Sequence, residues 1–189
     1  MTLGSAAETA AVKFLPGAIS LLPGAIAASV GLFGSLVLQL AGPIPLALDR
    51  MGPTEFNPAT RLRIFAVCFK RAAPLMIITG FVAAASALFP TFAYPDPQSK
   101  VYLRTAGAAF LLLNPYTLLT LLDTNKQLLA MNRNTKPTSE GTLSLSETEG
   151  KKAMQLMEDW TFWANLRVGF FAVGWAGIIM GLGKELRVI

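Results

Sequence analysis

Four stretches of about 20 mainly apolar residues, Ile19 to Ala41, Ala72 to Phe89, Val101 to Leu122 and Trp160 to Leu182, constrain this chain more than any other feature. Each is long enough as a helix to cross the hydrocarbon core of a bilayer, where only helices and closed barrels satisfy their own backbone. Composition agrees, because with 53% hydrophobic and 14% charged residues a chain of 189 has too little polar surface for a soluble domain of its size. The expected fold is all-α: one membrane-embedded antiparallel four-helix bundle over residues 1–189, with a polar loop at 132–150.

The formal net charge is +5, yet no basic run is interleaved with aromatic residues, so nucleic acid is not an expected partner. The cations sit beside the spans instead. Arg50, Arg61, Arg63, Lys70, Arg71, Lys126, Arg133, Lys136, Lys151 and Lys152 would share one side of the membrane, whereas Lys13, Lys100, Arg104, Lys184 and Arg187 would share the other. The positive-inside rule then predicts that the two longer loops are cytosolic and that both termini face the lumen or exterior. Residues 1–11 lack a basic n-region and a clear cleavage site, so no removable signal peptide is read there.

The chain has no histidine. That excludes Ser-His-Asp and Cys-His nucleophile systems, the two-His-one-carboxylate iron site, His-bound zinc or copper and His-ligated haem. Cys68 is the one cysteine; it permits no intramolecular disulfide and reads as a small apolar helix residue. No glycine-rich phosphate cradle follows a strand. No metal and no cofactor are expected, so an enzyme built on this chain must act on a substrate that brings most of the reactivity with it.

Local signals place the helix ends. Two Pro-Gly pairs, Pro16-Gly17 and Pro23-Gly24, predict a first span that is regular only after Pro23. Within it Ala27, Gly31 and Ser35 recur every four residues as a small-residue packing seam, and Gly42-Pro43-Ile44-Pro45 ends it ahead of a turn to Phe56. Asn57-Pro58 and Asp96-Pro97 are N-cap and first-position pairs that start the second and third helices, the second stopping at Pro90. Ser146 and Glu149 form a capping box for the last helix. Gly177 and Gly181 form a helix-contact motif that serves pairing within the bundle or in a homo-oligomer.

Polar residues inside the spans are the candidates for function. As a helix, the third span brings Asn114, Thr117, Leu118, Leu121 and Asn125 into one sector, with Pro115 freeing the carbonyl of Leu111 nearby. The second helix carries Arg63, Val67, Lys70, Pro74, Ile77 and Phe81 near one face, its cations either snorkelling to headgroups or rimming a site. In the fourth span Trp160, Trp163, Arg167, Phe171 and Gly174 share a face, and Arg167 lies inside the apolar stretch. A cation there must snorkel, pair or face a cavity.

Several of these residues carry a resemblance. Gly34-Ser35 followed by Pro43, Phe69 to Pro74, Pro115-Tyr116-Thr117, Thr124-Asn125-Lys126-Gln127-Leu128, and Trp160 followed by Asn165 and Arg167 are similar in pattern to the fungal anthrone oxygenases, small four-span membrane proteins of aromatic polyketide pathways. The resemblance covers most of residues 20–182, although the family's second-helix glycine is absent, with Ala72 or Ala73 near its place. It implies oxidation of a polyketide anthrone to its anthraquinone by O₂ without a cofactor, with membrane lipid as the surroundings and the endoplasmic reticulum or another endomembrane as the location. Helix phase, burial cost and the family motifs together single out Asn125 and Arg167 as hydrogen-bonding the anthrone oxygens, with Asp123 as candidate base. Trp160 and Trp163 would form an aromatic wall, and Asn114, Tyr116 and Thr124 would complete the substrate contacts. Two alternatives stand beside this reading: Asn125 and Arg167 tie two helices together, or the protein is a non-catalytic membrane scaffold for a pathway.

Overall fold

The computed structural model describes residues 3–92, 96–137 and 143–186. Helix α1 spans Leu3–Leu40, the short α2 Pro43–Ala47, α3 Pro58–Leu88, α4 Pro97–Asn134 and α5 Glu147–Glu185. A 3-10 turn, Phe89–Phe92, follows α3. Four helices are long and apolar enough to cross a membrane, as a multi-pass membrane protein requires. All four outrun the apolar windows. The 39 residues of α5 reach about 58 Å at 1.5 Å per residue, against a hydrocarbon core of about 30 Å, so its polar N-terminal turns stand outside it.

The expected helix starts are present with the capping hydrogen bonds that define them. Asn57 Oδ1 accepts the amide of Thr60 at 2.8 Å, and Asp96 Oδ2 accepts that of Ser99 at 2.6 Å. Glu149 N–H donates to Ser146 Oγ at 3.3 Å while Glu149 Oε2 accepts from the Ser146 amide and hydroxyl at 3.1 and 2.7 Å, a complete capping box.

One expectation is corrected. Helix α1 is not broken at Pro23 but runs through both Pro-Gly pairs. Pro23 is exposed and Gly24 is buried, where a Cβ would lie 2.5 Å from Ser86 Cβ, so the proline ring points away from the side on which the helix packs closely. Within the stretch read as a polar loop, 132–150, lie the end of α4, the start of α5 and a small antiparallel pairing, Lys136 with Ser144 and Pro137 with Leu143. Asn57 Nδ2 donates to the Leu143 carbonyl at 2.9 Å, which ties this pairing to the start of α3.

The chain divides into two compact units: Met1–Leu32, Ile77–Asn114 and Phe170–Ile189 form the first, Phe33–Met76 and Pro115–Gly169 the second. In the first, Gly80 lies against Leu113 and Gly107 against Leu88, so α3 packs on α4 there. Gly177 lies under Tyr102 and Ala106, and Gly181 under Leu103, so the glycine motif of α5 is filled by α4 of the same chain. A Cβ on Gly177 would come within 2.8 Å of the Tyr102 carbonyl oxygen, a backbone atom that cannot move aside cheaply.

The core of the second unit gathers Ile44, Leu62, Phe65, Leu121, Leu128, Met157 and Trp160. Its α1–α3 connection is built around Asp49, which has a left-handed φ of 56°, accepts from Thr54 N and Oγ1 at 3.2 and 2.7 Å and pairs with Arg61. The Thr54 hydroxyl first, and then Arg61, hold the Asp49 carboxyl below its ordinary range. The Ser99 amide does the same for Asp96. A carboxyl with a lower pKa folded than unfolded binds fewer protons when folded, so its contribution is present above the unfolded value of about 3.9 and fades as pH falls through the folded one. Thermal unfolding in detergent should therefore lose stability below about pH 4, and Asp49→Asn should make that acid limb shallower. An identical acid limb in the variant would remove Asp49 from the account.

Candidate functional site

The candidate site lies within the second unit and starts from α5. Two helical turns separate Trp160 from Arg167, which puts both on the buried side: Trp160 is 5% exposed and Arg167 8%. The Trp160 indole stands edge-on to Phe65 and Phe69 of α3, with ring centroids 5.0 and 6.3 Å away, a packing that fits the aromatic quadrupole. Its Nε1–H donates to Asn125 Oδ1 of α4 at 2.8 Å, satisfying both buried groups. The Arg167 guanidinium carbon lies 6.0 Å from the centre of the same indole. Trp160 is therefore the link between Asn125 and Arg167.

Arg167 has no carboxylate partner among the described residues, whose two ion pairs are Asp49–Arg61 and Glu147–Lys151. Its Nε is buried with no hydrogen-bond partner among those residues. The same holds for Oε1 of Gln39, a residue of α1 that is also 8% exposed. Both side chains line one small chamber, closed further by Ser35, Phe69, Ala73 and Trp160, with a free volume of about 20 Å³. That is room for a single water-sized molecule. The rest of the lining is largely apolar and includes the Ser35 hydroxyl, which donates to Met76 Sδ at 3.3 Å.

Beside the chamber is an open apolar groove of about 980 Å³ formed by α1, α2 and α3. Phe33, Val37, Val67 and Leu75 supply apolar walls, and Arg63 and Arg71 bring charge to it. Leu38, Cys68, Ala72 and Met76 line both spaces, so these side chains are the partition between groove and chamber. Ala72 and Ala73 border the chamber with short side chains. The groove is at the upper end of the range of small-molecule sites, roughly 300–1,000 Å³.

The residues singled out from sequence are distributed unevenly around this arrangement. Arg167 and Trp160 line the chamber, and Asn125 holds Trp160 from behind. Trp163 is 38% exposed and packs edge-on against Phe162, 5.2 Å between centroids, while its carbonyl accepts the Tyr116 hydroxyl at 2.8 Å. Asp123 is exposed, Thr124 is half-buried, and Asn114 is half-buried within the first unit. The polar sector expected on α4 is narrower than drawn: Leu121 and Asn125 are buried, but Leu118 is 59% exposed. The α3 face from Arg63 to Phe81 is exposed at all of its six positions, with Arg63 and Val67 reaching the groove. Gln39 was not anticipated. Its signal is the four-residue period Ala27, Gly31, Ser35, which continues to Gln39 and places an amide on the seam where only small residues are needed for packing.

No curated protein and no solved structure matches the chain. The anthrone oxygenase family matches residues 63–177, more than half of the 189, a range that holds Phe69, Asn125, Trp160 and Arg167. With Trp160 and Arg167 at the buried chamber and Asn125 bonded to Trp160, and with the match running unbroken from α3 into α5, this chain belongs to the anthrone oxygenase family.

Proposed function

We propose that the protein oxidises a polyketide anthrone to the corresponding anthraquinone with O₂, without a metal or organic cofactor, and that the aromatic substrate enters the α1–α3 groove. Family membership supports oxygenase chemistry in general. The observation that carries the specific reading is Arg167, a buried guanidinium without a carboxylate partner among the described residues, behind the partition of a groove large enough for three fused rings.

An anthrone has an acidic methylene between two aryl rings, and removing one of its protons gives an electron-rich enolate that reduces O₂ directly. The overall change is anthrone plus O₂ giving anthraquinone plus water. The task left to the protein is to favour the enolate, and a cation in an apolar, water-poor site does that far more strongly than it could in water. Arg167 has this role, Trp160 holds the guanidinium face, and Asn125 fixes Trp160. No Asp or Glu among the described residues lines the groove or the chamber, so the proton leaves to water at the Arg63 end of the groove, ahead of the apolar stretch that starts at Ala72. Recombination of carbon radical and superoxide forms a peroxide anion at the former methylene, which takes back one proton to give the hydroperoxide and then loses water to become the quinone carbonyl.

Cys68 provides the test of location. It is half-buried, it borders the groove, and it is the single cysteine of the chain. Alkylation by N-ethylmaleimide should slow severalfold when anthraquinone product saturates the detergent-solubilised protein, and an added phospholipid should not reproduce this protection. Labelling at an unchanged rate in the presence of product, or equal protection by lipid alone, would put the substrate elsewhere.

A further inference from the structure

We infer that the α1–α3 groove selects an anthrone that carries a carboxylate on a terminal ring, with Arg71 binding this acid group and Arg63 drawing it in. This rests on the anthrone reading above and names the class of anthrone that the groove takes.

Most of the groove is apolar, with Phe33, Val37 and Pro43 on one side and Ile64, Val67 and Leu75 of α3 on the other. Its two charged residues are both arginines, Arg63 and Arg71. Neither has an ion pair among the described residues, where Asp49 is taken by Arg61 and Glu147 by Lys151. Since no Asp or Glu among those residues lines the groove, it presents two cations and no anion. A flat aromatic body with a carboxylate at one end matches both the apolar walls and the charge, whereas a neutral ligand matches the walls alone. Binding of lipid headgroups would ask only for cations at the boundary of the apolar stretch. The third cation there, Lys70, is exposed and does not line the groove. The two that do line it have the planar fork that grips a carboxylate through two hydrogen bonds, which an ammonium cannot do.

Position divides the work between the two. Arg71 directly precedes Ala72, where the apolar stretch of α3 begins, and Val67 and Leu75 lie four residues to either side of it on the same helix face. A carboxylate paired there keeps apolar neighbours along the helix in both directions. On a terminal ring it is also clear of the methylene and the carbonyl of the central ring, so pairing with Arg71 leaves the reacting atoms free to face the partition of Leu38, Cys68, Ala72 and Met76. Arg63 lies about 12 Å further from the apolar stretch, eight residues away at 1.5 Å each. At that end of the groove a cation raises the local concentration of an anionic substrate. Both arginines are exposed, so the carboxylate displaces water from them and breaks no internal ion pair.

The test compares an anthrone carboxylic acid with its methyl ester, which keeps the rings and removes the charge, with the spontaneous oxidation of each subtracted. Wild type should show a kcat/KM for the acid at least about tenfold above that for the ester, the difference lying in KM. Arg71→Gln should cut this preference to about twofold or less by raising KM for the acid, and Arg71→Lys should restore only part of it. Arg63→Gln should narrow the preference by about threefold at low salt and by less at high salt, as steering requires. Equal kcat/KM for acid and ester in wild type would overturn the proposal, as would a full preference in folded Arg71→Gln protein. If the preference is absent and phosphatidylglycerol, but not phosphatidylcholine, raises the Tm of wild type and not of Arg71→Gln, the arginine holds a lipid headgroup and the proposal falls. If wild type accelerates the oxidation of neither substrate, the anthrone reading fails first and this proposal with it. Acceleration of both without preference refutes the carboxylate site alone.

Discussion

Replacing Arg167 by Gln lowers turnover by about 10²- to 10³-fold in protein that is folded and inserted, the size of effect expected when a preorganised donor to a developing oxyanion is removed. The loss should be in kcat, because Arg167 lies behind the partition rather than in the groove proposed for the rings. Stability should move little or rise. The guanidinium has no carboxylate partner among the described residues and keeps a buried Nε without a hydrogen bond, so Arg167→Met removes a desolvated charge and leaves none behind. A structural tie between helices predicts the reverse pattern, with lost expression or a lowered Tm and normal turnover in whatever protein survives. Arg167→Lys preserves charge without the planar fork, and recovery by Lys of less than a tenth of wild-type turnover would assign the effect to geometry as well as charge.

Trp160→Ala should be the most destabilising single change in the second unit, at about 3–5 kcal/mol. It empties the position where Phe65 and Phe69 meet α5 and strands the Asn125 carbonyl oxygen. Trp160→Phe separates the two effects. It retains a ring against Phe65 and loses the indole donor, at a cost of about 1–3 kcal/mol for an unsatisfied buried acceptor. Asn125→Ala leaves the opposite partner unpaired and should cost a similar amount. Because one hydrogen bond joins these side chains, the double variant Asn125→Ala with Trp160→Phe should cost clearly less than the two single changes added together. In this account Asn125 acts on the reaction through Trp160 and is a positioning residue. Additive losses measured by thermal unfolding would show that the two act separately.

Capping was legible in the sequence because it is local: Asn57, Asp96, Ser146 and Glu149 each satisfy a donor within three or four residues, and the structure uses them as read. The buried run of Ala27, Gly31 and Ser35 was legible for a similar reason, since small residues at a four-residue period have few other uses in an apolar helix. What failed depended on contacts with distant residues. Pro23 was read as a break because its missing donor is visible in sequence, whereas the outward direction of its ring and the close seat of Gly24 against Ser86 are not. Leu118 shares the helical phase of Leu121 and Asn125 yet is exposed, since periodicity gives an angle and not the width of the neighbouring surface. Arg167 was marked by its cost inside an apolar stretch. Gln39 is uncharged and near the end of its span, so its cost is smaller and nothing in sequence joins it to Arg167. The chamber becomes visible only when α1 and α5 are placed together in the second unit.

The most direct measurement is turnover of anthrone by the purified, detergent-solubilised protein, with O₂ uptake and anthraquinone formation followed together and spontaneous oxidation subtracted. The account predicts acceleration over the spontaneous reaction, one O₂ consumed per quinone formed, and an unchanged rate after dialysis against a chelator. A rate equal to spontaneous oxidation in folded protein, or turnover that is lost in chelator and restored by one metal, would contradict it.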